Sequence, residues 1–170
     1  MSMHSGAIME HKKLNWCFSL KDGLKFVEPN MLLAQSYLKE SRLSLERAEK
    51  NFKDQDLLWA TVVAYYAEYY ALYSFLQRIG IKCENHFCSI LAVSFLLGEH
   101  TTEIINRHKD KRIDAQYYMR VDKEQDVERM LQEAKLFFTL FDEIVSNLHE
   151  TEIKAYRESL KKLLNRFTKS

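Results

Sequence analysis

The chain has 170 residues, 46% of them apolar and 29% charged, with a formal net charge of +1. That length carries one domain with a proper core, and the balanced charge excludes an overall field that would capture nucleic acid or an acidic membrane. One proline and four glycines are too few for the many turns of an all-β fold.

The first 29 residues read as an N-terminal arm. Its start, "MSMHSGAIMEHKKLNW", carries neither the apolar core nor the cleavage site of a signal peptide. Gly23 and Pro29 punctuate the rest, so a short helix or irregular segment is expected to dock Trp16, Phe18 and Phe26 onto the body. Residues 30–170 then read as a single helical domain. Ala34, Leu38, Ser41, Leu45, Ala48 and Phe52 step by four and three, which is one face of a helix. A second helix is predicted from about Gln55 to Ile79, with Gly80 as its C-terminal stop.

A third helix is predicted from near Asn85 to Gly98, and a short one at "TTEIINRH". "KDKRIDAQYYMRV" shows no clean apolar face and is expected to be a loop. Asp122 and Gln125 resemble a capping box. Val127, Leu131, Ala134, Phe138, Phe141, Val145 and Leu148 define the next helix, and Ile153, Tyr156, Leu160, Leu163 and Phe167 the last. The fold class expected is all-α, an up-and-down bundle of about five main helices.

The second helix holds "YYAEYYALY", five tyrosines in nine residues. The segment Leu57 to Gln77 is 21 residues long with Glu68 its single charge, long enough to span a bilayer. However, Glu68 and the hydroxyls would sit where polar groups are costly, so a buried helix of a membrane-free protein is expected. Ala60, Ala64, Ala67, Ala71 and Ser74 share one narrow stripe for close helix approach, while Tyr65, Tyr66, Tyr69 and Tyr73 share the opposite side with Val62 and Leu76. Core packing with each hydroxyl bonded is the plainer reading of the tyrosines, and a stacking surface for bases or a partner the sharper one. Glu68 is expected to pair with a buried arginine or a tyrosine hydroxyl.

Cys17, Cys83 and Cys88 are odd in number and lack a framework, which predicts free thiols, a reducing compartment and a cytoplasmic setting. "CENHFC" places Cys83, His86 and Cys88 together, short of the four ligands of a structural zinc site, so a helix start with buried thiols is expected and neither metal nor cofactor is predicted. There is no glycine-rich phosphate loop, no HExxH and no Ser-His-Asp pattern with context. The stretch from Asn106 to Arg120 interleaves Arg107, Lys109, Lys111, Arg112 and Arg120 with His108, Tyr117 and Tyr118. Cations beside aromatics suit a phosphate backbone and stacked bases, and a solvated loop with local ion pairs is the bland alternative. Residues 151–170 carry six Lys or Arg against two Glu, either a solvated outer face or an RNA-facing one.

Taken in order, "VAYYAEYYALYSFLQRIGIKCENHFCSILAVSFL", "RIDAQYY" and "DVERMLQEAKLFFTLFDEI" resemble HEPN domains (higher eukaryotes and prokaryotes nucleotide-binding), over roughly residues 30–148. In that family a tyrosine-rich helix precedes Gly, a short Lys-x-x-x-His turn and a third helix. Gly80, Lys82 and His86 match the turn. "RIDAQYY" matches an Arg-x-x-Ala-Asp-Tyr signature with Gln116 at the Asp position. The resemblance implies a HEPN-like bundle, commonly a homodimer, and small prokaryotic members paired with a minimal nucleotidyltransferase as a toxin–antitoxin system.

Active members of the family are metal-independent endoribonucleases using Arg, four to six residues, then His. Here Arg112 occupies the His slot after Arg107, with Asp114 beyond it, and His108 adjoins Arg107. Arginine can hold a phosphate but cannot carry a proton. The leading expectation is therefore a binding protein, with the nucleotidyltransferase as partner and RNA or nucleotide as candidate ligands. The alternative is an endoribonuclease toxin with a variant Arg/His site. Candidate catalytic residues are Arg107, Arg112 and Asp114, and candidate binding residues are Lys82, His86, His108 and Tyr117.

Overall fold

In a computed structural model, residues 3–167 are described, with side chains over residues 9–165. Phe167, expected on the last buried face, and the basic Arg166 and Lys169 lie outside the described side chains. Seven α-helices run in the order α1 (Met3–Ser19), α2 (Met31–Lys53), α3 (Leu57–Arg78), α4 (His86–Leu97), α5 (Glu103–Tyr118), α6 (Glu124–Asn147) and α7 (Glu150–Phe167). A single 3-10 turn, Glu99–Thr101, precedes α5. The expected all-α bundle is present. The short helix expected at "TTEIINRH" is the beginning of the 16-residue α5, and the arm, expected as a short helix or irregular segment, carries the 17-residue α1.

Helix α3 is the centre, and α2, α4, α5 and α6 pack around it. Ala60, Ala64, Ala67 and Ala71 are fully buried, the small stripe letting neighbouring backbones approach. Tyr65, Tyr69 and Tyr73 are buried on the opposite side, while Tyr66 and Tyr70 are half-buried. Each buried hydroxyl has a partner: Tyr65 meets His86 Nδ1 at 2.9 Å, Tyr69 meets Ser89 Oγ at 3.1 Å, and Tyr73 accepts from the Cys83 N–H at 3.1 Å. Burial of such rings is worth roughly 1.5–3 kcal/mol each only when the polar end is satisfied in this way. Among the described residues no helix is long and apolar enough to cross a membrane.

The segment expected as a loop at Lys109–Val121 is helical up to Tyr118. Its buried residues are Ile105, His108, Arg112 and Ala115, a helical i, i+3, i+7, i+10 face. Two of the four are polar, so counting apolar residues alone hides the period. Met119, in the left-handed region at φ 53°, ends α5 by returning its N–H to the Asp114 carbonyl. The capping box at Asp122 and Gln125 does not form. Lys123 is the N-cap of α6 without a side-chain bond, because the Asp122 carboxylate is taken by Lys111 across the turn.

The corner after α3 is built on Gly80, whose φ is +73° and whose Cβ position would lie 2.5 Å from the Val27 carbonyl oxygen. Arg157 of α7 replaces that missing bulk, its Nη1 within hydrogen-bond distance of the carbonyls of Val27, Ile79 and Gly80. Two short strands, β1 (Lys25–Phe26) and β2 (Ile81–Lys82), pair antiparallel and join the arm to this corner. Phe18 and Phe26 stack on each other and are half-buried. Trp16, expected to be docked, is instead 50% exposed and touches only the edge of Phe87 among the rings.

The cysteines depart from expectation. Cys17 of α1 and Cys88 of α4 form a disulfide across 71 residues, and Cys83 alone is a free, buried thiol. An odd count leaves one thiol over, but it does not prevent the other two from pairing, since pairing follows proximity in the fold.

Candidate functional site

Two polar clusters flank α3, both reaching α5. The first is assembled from residues far apart in the sequence. Arg112 is nearly buried, at 9% exposure. Its guanidinium lies 4.8 Å from the Tyr65 ring centroid, 5.6 Å from Tyr66 and 6.0 Å from Tyr117. The tyrosine helix thus supplies the faces on which the signature arginine rests. Nη1 donates to Gln116 Oε1 at 3.3 Å, and buried Nε has no hydrogen-bond partner. Among the described residues no carboxylate pairs with Arg112. Cation–π contacts return about 0.5–2 kcal/mol, less than the several kcal/mol that desolvating a charge costs.

His86 completes this cluster. Asn85 caps α4 by accepting from the Cys88 N–H at 3.1 Å, which sets the ring of the next residue against α3. The imidazole stacks on Tyr69 with centroids 3.7 Å apart and planes 8° from parallel. Burial, and secondarily the Arg112 charge, push its pKa down to about 4, so it is neutral at physiological pH. Burial likewise pushes the Tyr65 phenol up to about 12. The protonated Tyr65 hydroxyl can donate to Nδ1, leaving the ring proton on Nε2. The chemical capacity of the cluster is to hold an anion on Arg112 beside a neutral hydrogen-bonding imidazole, with half-exposed aromatic rings alongside.

The second cluster centres on His108, and its Glu68 Oε2 is buried without a hydrogen-bond partner. His108, only 1% exposed, has Nδ1 2.6 Å from Oε1 of the fully buried Glu68 and Nε2 2.8 Å from Oε2 of Glu133. Arg107 donates to the same Glu133 oxygen at 3.1 Å. Burial pushes the Glu68 carboxyl up, against the hydrogen bond and charge of His108. Glu68 was expected to meet an arginine or a tyrosine hydroxyl; its partner is His108. Beside this chain a cleft of roughly 150 Å³ opens between α5 and α6, lined by Arg107, His108, Lys111, Asp126, Arg129 and Glu133 among others.

The sequence-derived candidates therefore divide. Arg112, His86 and Tyr117 converge. Arg107 and His108 belong to the other cluster. Asp114 is exposed one turn before the end of α5, and Lys82 is exposed in an ion pair with Glu84 at 2.8 Å. Cys88 is in the disulfide, so "CENHFC" supplies no ligand trio, and among the described residues no group of three His, Cys, Asp or Glu is placed to hold a metal. Tyr65, Tyr66 and Gln116 were missed as site residues. The available signal was the helical offset from Arg112 to Gln116 and the tyrosine side of α3.

These features define an all-α protein whose signature arginine lies against tyrosines of its central helix. The HEPN domain family model matches residues 34–144, which run from α2 to near the end of α6, and the chain belongs to that family. No curated protein and no solved structure matches the chain.

Proposed function

We propose that this HEPN protein works by binding, as a cytoplasmic homodimer that associates with a minimal nucleotidyltransferase in a toxin–antitoxin type pair and takes the phosphate of an RNA or nucleotide on Arg112. The observation that carries the reading is the uncompensated charge of Arg112. A desolvated guanidinium with an unpartnered Nε gains from an arriving anion what solvated lysines do not. Tyr117, Tyr118, Met119 and Val121 lie exposed at the adjoining end of α5. An apolar cluster of that kind supports a protein interface beside the arginine. Co-expression with a minimal nucleotidyltransferase from a neighbouring gene tests the partner: co-purification in a fixed ratio is expected, and separate elution of the two proteins, or a neighbourhood that encodes no such protein, contradicts the pairing.

The second reading is a metal-independent endoribonuclease. It is favoured by one observation, the placement of His86 beside Arg112 through Tyr65. Both ring nitrogens of His108 are engaged, so in this reading proton transfer falls to His86. Incubation with total RNA separates the two readings. Binding without cleavage supports the first, and cleavage abolished by Arg112→Ala and by His86→Ala supports the second.

A further inference from the structure

Helix α1 lies outside the residues that match the family model, yet it is covalently joined to them. Within its described side chains Leu14 and Cys17 are fully buried, Phe18 is half-buried and stacked on Phe26, and His11 and Trp16 make edge contacts with Phe95 and Phe87 at 5.6 and 6.4 Å. The helix touches both α4 and α7. A helix of 17 residues is marginal on its own in water and depends on such anchors. The Cys17–Cys88 bond is its covalent anchor to α4. Its partner Cys88 sits in the first turn of α4, two residues after His86. That turn also carries Ser89, bonded to Tyr69, and it is tied to the arm by the Glu84 N–H to Asp22 carbonyl bond at 2.9 Å. One face of the turn holds the arm and the other presents His86 to the Arg112 cluster.

We propose that Cys17–Cys88 is a redox clasp: oxidised, it pins α1 across α4 and fixes the 82–89 turn that presents His86 to Arg112; reduced, it releases α1 and loosens that turn. The reductant is a dithiol. Its thiolate attacks one sulfur, breaking the S–S bond and expelling a cysteine thiolate that takes up a proton. The second thiol of the reductant then resolves the mixed disulfide. Two electrons and two protons pass to Cys17 and Cys88, and the dithiol leaves as a disulfide. Both sulfurs belong to fully buried residues, so attack follows local opening of α1 rather than direct access. Cys83 hydrogen-bonds through its thiol to the Asn85 carbonyl at 3.3 Å and stays a thiol throughout. The regulatory half of the inference rests on the Arg112–His86 reading of the site; the clasp itself does not.

The test combines differential alkylation read by mass spectrometry with hydrogen exchange on the full chain before and after dithiothreitol. Before reduction, denaturing alkylation is expected to label Cys83 alone, and after reduction all three cysteines. Exchange in residues 3–19 and 82–89 should accelerate at least tenfold on reduction and recover on reoxidation. Cys17→Ser should match the reduced protein and ignore the reductant, and Cys83→Ser should match the wild type. Where Cys17→Ser does not fold, the reversible reduction of the wild type carries the test. Labelling of all three cysteines before reduction, or unchanged protection of α1, overturns the clasp. Acceleration confined to residues 3–19 overturns its coupling to the site. Loss of the Arg112 binding reading in a separate RNA titration leaves these exchange results standing, so the two failures are distinguishable.

Discussion

The two histidines on either side of α3 sit in opposite chemical situations. His108 is enclosed: each ring nitrogen faces a carboxylate, and Arg107 closes the chain on Glu133. His86 is part of an open set, stacked and hydrogen-bonded but next to a guanidinium with an unpartnered nitrogen. A buried polar network whose charges meet opposite partners rigidifies a fold, and here it does so with Glu68 Oε2 left unpartnered. One with charge left over is a candidate for receiving something. Under the proposed function, stability falls to the Glu68–His108–Glu133 chain and ligand binding to the Arg112 cluster, although the sequence places His108, not His86, beside Arg107.

The contrast breaks most sharply at Glu68. Glu68→Ala strands His108 in the core and is expected to cost about 3–5 kcal/mol, a fall in Tm of roughly 10 °C by thermal denaturation. A shift within experimental error would mean the chain is not load-sharing. His86 is expected to act through pH. Its imidazolium is favoured in the unfolded chain between about 4 and the ordinary 6.5, so the unfolded state binds the extra proton there. The stabilising contribution is full above 6.5 and is lost as pH falls to about 4. Denaturant unfolding across that window should lose on the order of 1–2 kcal/mol in the wild type, after allowance for the ring's partial exposure, and less in His86→Gln.

Arg112→Met removes a desolvated charge that no carboxylate offsets. It should therefore leave stability within about 1 kcal/mol of wild type or raise it, opposite in sign to Glu68→Ala; a large loss would place Arg112 with the structural cluster. Arg107→Ala is the smallest change, under about 1 kcal/mol, because its ion pair is solvent-exposed.

Where apolar residues carry the period, the fold was legible. The alanine stripe of α3 and the stops at Gly80 and Gly98 stand as read, and the faces beginning at Ala34 and Val127 do so in part: Phe52 and Phe138 are half-buried, and Met130 and Phe137 take the core positions on α6. Helix α5 was legible only up to His108, and its continuation from Lys109 was not, because His108 and Arg112 occupy its inward face. The same polar substitutions that hide the helix create both clusters. The disulfide was illegible for a different reason: Cys17 and Cys88 are 71 residues apart, and only the docking of α1 on α4 brings them together. Of the site, Arg112, His86 and Tyr117 were visible as motif positions. That Tyr65 and Tyr66 would serve as the faces under Arg112 depends on how α5 crosses α3, which no spacing within either segment records.

The claim that Arg112 is the open, ligand-facing charge is tested most directly by fluorescence anisotropy with a short labelled single-stranded RNA at fixed salt. Arg112→Met is expected to weaken binding at least tenfold, about 1.4 kcal/mol, while Arg107→Ala stays within about twofold of wild type. Equal affinities for wild type and Arg112→Met, or a larger loss in Arg107→Ala, would contradict it.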